Sequence, residues 1–267
     1  MKVNFYKFHG TGNDFIMVDN RDNSFPKNDT ILINHLCHRR FGIGADGLIL
    51  LEDPELENED FRMVYYNADG NQSSMCGNGG RCLVAFAKYL GIIENKAGFT
   101  AIDGYHSATV ENEIVSLQMQ DVEVKDLNEN ALFLNTGSPH HIIFSEEVGD
   151  LNVKELGSKV RYSQVYEKAG GTNVNFVQQE EADTYLVRTY ERGVEDETYS
   201  CGTGVTAVAL AVNATGKTTA NKINLKTPGG LLKVTFEREG DYYRNIWLKG
   251  PAEFVFKGEI DANIKGK

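Results

Sequence analysis

No stretch of the sequence approaches the roughly 18 consecutive apolar residues needed to cross a bilayer, so no membrane span is expected. The opening residues, Met1-Lys2-Val3-Asn4-Phe5-Tyr6-Lys7, carry no apolar signal core, and the cytoplasm is the expected location. Positive charge is scarce: 27 Lys and Arg stand against 38 Asp and Glu, a net charge of −11. With no basic stretch to neutralise phosphates, nucleic acid is not an expected partner. Four cysteines in 267 residues, Cys37, Cys76, Cys82 and Cys201, are too few for a disulfide scaffold, and a reducing compartment keeps them as thiols. No low-complexity segment or linker interrupts the chain.

Two motifs look like sites and read otherwise. Gly42-Ile43-Gly44-Ala45-Asp46-Gly47 spells G-x-G-x-x-G, but dinucleotide binding needs a strand before it and a helix after it. Here a helical stretch precedes and the strand-like Leu48 to Leu51 follows, so the context is reversed. His35, Cys37 and His38 cluster in sequence, yet on a helix they diverge, and no second ligand pair stands at zinc spacing.

What the sequence does contain is a pair of matching blocks. Cys76-Gly77-Asn78-Gly79-Gly80-Arg81 opens an apolar run that stops at Gly91; Cys201-Gly202-Thr203-Gly204 opens another that stops at Gly216. Each reads as a helix closed by a C′ glycine, and the two blocks align without a gap at about half the chain's length. Both runs are apolar on nearly every face, which predicts two buried central helices. The strands expected around them are short. The fold class is therefore α+β, with two pseudo-symmetric domains, each a curved, mostly antiparallel sheet wrapped round its helix. The expected boundaries are 1–121 plus a C-terminal strand at about 252–267, and 122–251. Residues from Asp121 to Asn130 form the expected crossover.

A cysteine alone is usually a buried, inert thiol. Two cysteines, each at a glycine-rich helix start, suggest more. Unpaired N–H groups and the macrodipole at a helix N-terminus favour a thiolate. The glycines let a ligand's carboxylate approach the same amides. Removing a proton from a carbon beside a carboxylate, and returning it on the opposite face, needs one base and one acid. Two thiols tuned near neutrality supply both, as a coupled pair. No metal or other cofactor is required by this scheme.

The chain resembles the diaminopimelate epimerase family almost end to end. The motifs are His9-Gly10-Thr11-Gly12-Asn13-Asp14-Phe15, Arg39 to Gly47, Asn67-Ala68-Asp69-Gly70, Met75 to Arg81, Asn173-Val174-Asn175-Phe176, Tyr190-Glu191-Arg192-Gly193 and Cys201 to Gly204. The resemblance implies a cofactor-independent isomerase that interconverts LL- and meso-diaminopimelate in lysine and cell-wall synthesis. It also implies a site in the cleft between the domains, and a homodimer. Carried over by motif, Cys76 and Cys201 are the acid/base pair. Gly77-Asn78 and Gly202-Thr203 present amides to the carboxylate at the reacting carbon. Asn13, Asn67, Asn173, Glu191 and Arg192 bind the rest of the amino-acid substrate, and His140 and Glu191 tune the thiols. Three departures stand out: Ser138 where the family often has an Asn, Gly47 where some members carry a Gln, and an extra residue near Glu195-Asp196. Proline racemases share the paired-cysteine logic, but Arg192 and three asparagines exceed what proline's single carboxylate needs. A redox-sensing thiol pair is the competing reading from another class.

Overall fold

The computed structural model describes residues 2–73, 75–124, 132–168 and 170–262. The chain divides into two compact units, Met1–Leu117 with Pro251–Lys267, and Gln118–Gly250. Most of the expected crossover, from 125 to 130, lies outside the described residues, as does Ala131 at the start of the next expected strand.

In the first unit the elements run β1 (Lys2–Gly10), β2 (Asn13–Asp19), α1 (Thr30–Cys37), β3 (Gly47–Glu52), β4 (Phe61–Asn67), α2 (Gly77–Tyr89), β5 (Lys96–Ala101), β6 (Gly104–Glu111) and β7 (Ile114–Gln118). The second unit has β8 (Val122–Glu123), β9 (Leu132–Asn135), β10 (Pro139–Phe144), α3 (Val153–Arg161), α4 (Gln164–Glu167), β11 (Asn173–Glu181), β12 (Thr184–Glu191), β13 (Asp196–Thr198), α5 (Gly202–Ala214), β14 (Lys222–Thr227), β15 (Gly230–Glu239) and β16 (Tyr242–Pro251). The last strand, β17 (Glu253–Asp261), returns to the first unit and pairs antiparallel with β1.

Strand pairing repeats from one unit to the other. In the first, β1 is antiparallel to β2, β2 parallel to β3, β3 antiparallel to β4, β4 parallel to β5, and β5–β6–β7 form an antiparallel meander. In the second, β9, β10, β11, β12, β14, β15 and β16 follow the same alternation in the same order. Each unit is thus a mixed, mostly antiparallel sheet with a helical crossover at each internal parallel pair, as such pairs require. The helices α2 and α5 occupy equivalent crossovers, and Gly91 (φ 74°) and Gly216 (φ 72°) close them in the left-handed conformation only glycine adopts freely.

Burial explains the composition of these helices. In α5 the residues Val205 to Asn213 are all buried, so packing overrides the weak helix preference of its Val and Thr residues. Sheet strands under such helices are covered on both faces: β3 is buried along its whole length, with Leu48 and Leu50 in the core beneath α1 and Ile49 touching α2. The expected helix from Thr30 to Arg40 is capped by Asp29 but stops at Cys37. It ends early because Ile43 and Gly44 turn back to donate to the Leu36 carbonyl, taking the place of a further helical turn. That fold-back also explains the misleading glycine motif: a Cβ on Gly42 would sit 2.0 Å from the His35 carbonyl oxygen, so the residue serves close backbone approach. The segments α4, β8 and β13 escape sequence reading because each is too short for a periodic pattern.

Candidate active site

Cys76 is the N-cap of α2, in an extended conformation (φ −99°, ψ 125°), and its side chain does not cap its own helix. The glycines behind it are there for packing. A Cβ on Gly79 would lie 2.9 Å from Ile49 Cδ1, and one on Gly80 would lie 3.1 Å from Leu117 Cδ2. The helix start therefore presses directly on the sheet. Asn78 donates to Asn13 Oδ1 (3.1 Å), and Asn13 Nδ2 donates to Asp46 Oδ2 (3.2 Å), which ties the hairpin between β1 and β2 to the start of α2.

Behind Asn13 stands a charged cluster. The buried Lys7 pairs with Asp14 (2.7 Å), and Arg39 bonds both Asp14 (2.7 Å) and Asp46 (2.6 Å). Burial works against the Asp14 carboxylate, but the bonds from Arg39 and Lys7 outweigh it and hold its pKa below the usual value. Burial, together with the nearby Asp14 charge, pushes Asp46 up. Asn67 ends β4 on the exposed side of a tight turn closed by Gly70.

Arg81, which the sequence reading passed over, is fully buried. It donates to Thr11 Oγ1 (3.0 Å) and to the Gly77 carbonyl (3.4 Å), while its Nε has no partner and no carboxylate pairs with it among the described residues. Burial lowers its pKa to about 10, and negative charge at Cys82 and Cys76 pulls the other way. The signal was a charge near the start of a mostly apolar helix, just before the run Cys82 to Ala87.

In the second unit Cys201 is the N-cap of α5 (φ −131°, ψ 113°), is 8% exposed, and again does not cap its own helix. Its Sγ lies 3.5 Å from Thr203 Oγ1. Thr203 Oγ1 in turn meets His140 Nε2 (2.9 Å) and Ser138 Oγ (3.0 Å), and the Thr203 carbonyl accepts from Thr136. Asn173 is opposite His140 in the register. Its amide donates to the Pro139 carbonyl (2.9 Å) and Ser138 Oγ (3.3 Å) and accepts from the Arg192 backbone N–H (2.9 Å). Asn173 therefore braces the segments that carry Ser138 and Arg192. Glu191 is the half-buried last residue of β12. The loop that follows is pinned: Glu195, at φ 57°, accepts from Tyr190, Gly193 and Arg161.

His140 is completely buried. Burial, reinforced by the Arg192 charge, lowers its pKa from 6.5 to about 3, so the ring is neutral and acts on its neighbours through hydrogen bonds. The unfolded chain takes up a proton here that the folded chain refuses, so this contribution to stability is complete above pH 6.5 and lost as pH falls towards 3. Wild-type protein is expected to lose about 2 kcal/mol from this group between pH 7 and pH 5. Urea unfolding at the two pH values should show a smaller drop for His140→Gln; equal drops would refute the assignment.

The remaining sequence candidates separate cleanly. Cys37 and Cys82 are buried, and burial pushes Cys37 up to about 12 and Cys82 higher still. His38 Nδ1 accepts from the backbone of Arg40 and Phe41, and no metal-holding cluster of His, Cys, Asp and Glu occurs among the described residues. No helix among them is long and apolar enough to cross a membrane. Gly47 has no room for a side chain: a Cβ would lie 2.5 Å from both the Tyr65 ring and the Tyr66 carbonyl oxygen.

A family model described as diaminopimelate epimerase matches residues 5–123 and 132–255, nearly the whole chain, both helix starts included. The chain belongs to the diaminopimelate epimerase family. It is an isomerase. A diaminopimelate epimerase of Flavobacterium psychrophilum is 60% identical over 97% of this chain and 100% of its own length. That of Aquifex aeolicus is 36% identical over 98% and 99%. Among solved structures, a hydroxyproline epimerase from Agrobacterium vitis superposes with a TM-score of 0.73 at 14% identity, covering 97% of this chain and 92% of that one. A PhzF-family phenazine biosynthesis protein from Bacillus anthracis gives the same TM-score at 13% identity, covering 98% and 99%. At that identity the shared property is the fold. It is the two-unit α+β fold expected of a diaminopimelate epimerase family member.

Proposed function

We propose that the chain interconverts LL- and meso-diaminopimelate by proton transfer between Cys76, Cys201 and the α-carbon. The observation that carries this reading is the repeated device: in each of two equivalent units a cysteine caps a glycine-rich helix start without using its side chain on that helix. One thiolate removes the α-proton and the other thiol delivers a proton to the opposite face; the reverse reaction exchanges the roles. As the proton leaves, negative charge spreads into the adjoining carboxylate. The amides of Gly77-Asn78 and Gly202-Thr203 and the positive ends of α2 and α5 stabilise that charge. Arg192 offers a bidentate partner to the distal carboxylate and Glu191 an acceptor to the distal ammonium. Asn13, Asn67, Asn78 and Asn173 serve the same substrate, and Asn173 also holds the Arg192 and Ser138 segments in place. The buried Arg81 guanidinium supports a thiolate at Cys76. We place the reaction in the cytoplasm, in lysine and cell-wall precursor synthesis, with a homodimer as the working form.

The scheme needs neither metal nor pyridoxal, and the test follows from it. LL-diaminopimelate incubated in deuterium oxide with no added cofactor should yield the meso isomer carrying solvent deuterium at the inverted carbon. Proline should remain unlabelled. Epimer formed without label, or labelling of proline alone, overturns the reading.

A further inference from the structure

In the second unit a chain of hydrogen bonds runs from the sheet to the Cys201 sulfur, and its direction can be read from its far end. Asn175 is fully buried on β11, opposite Thr189 on β12. Thr189 Oγ1 donates to Asn175 Oδ1 (3.0 Å), and Asn175 Nδ2 also reaches the His141 carbonyl (3.4 Å), which can only accept. The His141 carbonyl puts the amide nitrogen, a donor, against His140 Nδ1 (3.0 Å), and the Thr189 hydroxyl completes that orientation by donating to Oδ1. A neutral imidazole that accepts at Nδ1 must carry its proton on Nε2. Nε2–H then donates to Thr203 Oγ1 or Ser138 Oγ, each 2.9 Å away. Asn173 also donates to Ser138 Oγ, which turns the Ser138 proton towards Thr203. By either route the Thr203 hydroxyl proton is left pointing at Cys201 Sγ.

We propose that Asn175, locked by Thr189, is a positioning residue that fixes the His140 tautomer so that Thr203 donates a hydrogen bond to Cys201. The opposite tautomer would make Nε2 an acceptor, draw the Thr203 proton away from sulfur and favour the thiol. A donor at that place favours the thiolate, the form that removes a proton. The same polar chain has no counterpart in the first unit, where Ile49 and Tyr65 hold the positions equivalent to Asn175 and Thr189. The inference rests on Cys201 being one of the two working thiols of the proposed function. The charged groups at and just past the end of the neighbouring β12, Glu191 and Arg192, are untouched by the variants below, and of the two Arg192 acts on the imidazole.

Two measurements on the full chain decide it. Imidazole 15N NMR of the wild-type protein, assigned against His140→Gln, should show His140 protonated at Nε2; protonation at Nδ1 overturns the proposal with no variant needed. The pH dependence of Cys201 alkylation, resolved by peptide mass spectrometry, should shift up by about one unit in Asn175→Leu, the size expected for losing one hydrogen bond to a charged group. Thr189→Val should move it the same way by less. An unmoved midpoint in both variants refutes the proposal. Because these readouts are taken at the imidazole and the sulfur, they stand apart from the proposed function, which fails instead if Cys201→Ala keeps its turnover.

Discussion

Cys76→Ala and Cys201→Ala are each expected to lower kcat by about a thousandfold or more, because each removes one of the two groups that handle the proton, and such groups contribute roughly 10²–10⁴-fold. A single remaining thiol can still exchange the α-proton on its own side, so slow deuterium exchange without inversion can outlast epimerisation in either variant. Cys37→Ala and Cys82→Ala should keep full turnover and lose about 1–2 kcal/mol of stability, since both side chains are packed in the core. Burial raises both of those thiols far above neutrality, so iodoacetamide at pH 7 should label neither in the folded protein. Steady-state rates, alkylation maps and urea midpoints for the four variants check this. Similar rate losses at all four positions would refute the assignment.

Arg81→Met is expected to separate activity from stability. The guanidinium is wholly buried, lacks a carboxylate partner among the described residues and leaves Nε unbonded, so desolvation is largely uncompensated. An apolar side chain of similar length should hold the thermal midpoint constant or raise it by a few degrees. Without the positive charge, the share of Cys76 present as thiolate should fall about tenfold at neutral pH, with kcat/KM falling in step and recovering as pH rises. A variant that unfolds, or one with an unchanged pH–rate profile, counts against this role.

The first of these expectations was legible in the sequence and the second was not. The cysteines were legible because their signal is local: Cys, then Gly, then an apolar run, then Gly, twice. The helix ends followed from it, since Gly91 and Gly216 sit where only a left-handed residue closes the turn. The burial of Arg81 was not legible. A charge near the start of a helix looks solvated until the sheet is seen to cover it. Asn175 was hidden for a related reason: Asn173 and Asn175 alternate with the buried Val174 and Phe176, a pattern that marks a two-faced strand but not what lies on its polar face. The early end of α1 was missed because the fold-back of residues 42–44 competes with the helix through contacts no propensity contains.

From its own residues the chain determined its family, its α+β class and the two helix starts with their thiols, because each depends on short-range pattern: capping, periodicity and the conformational reach of glycine. Tertiary structure decided the rest. It made His140 neutral, left Arg81 without a carboxylate partner among the described residues and tied the Asn173 amide to the segments of Ser138 and Arg192. Those properties are set by desolvation and by partners brought together from distant strands, and both exist only after the sheet has closed over its helix.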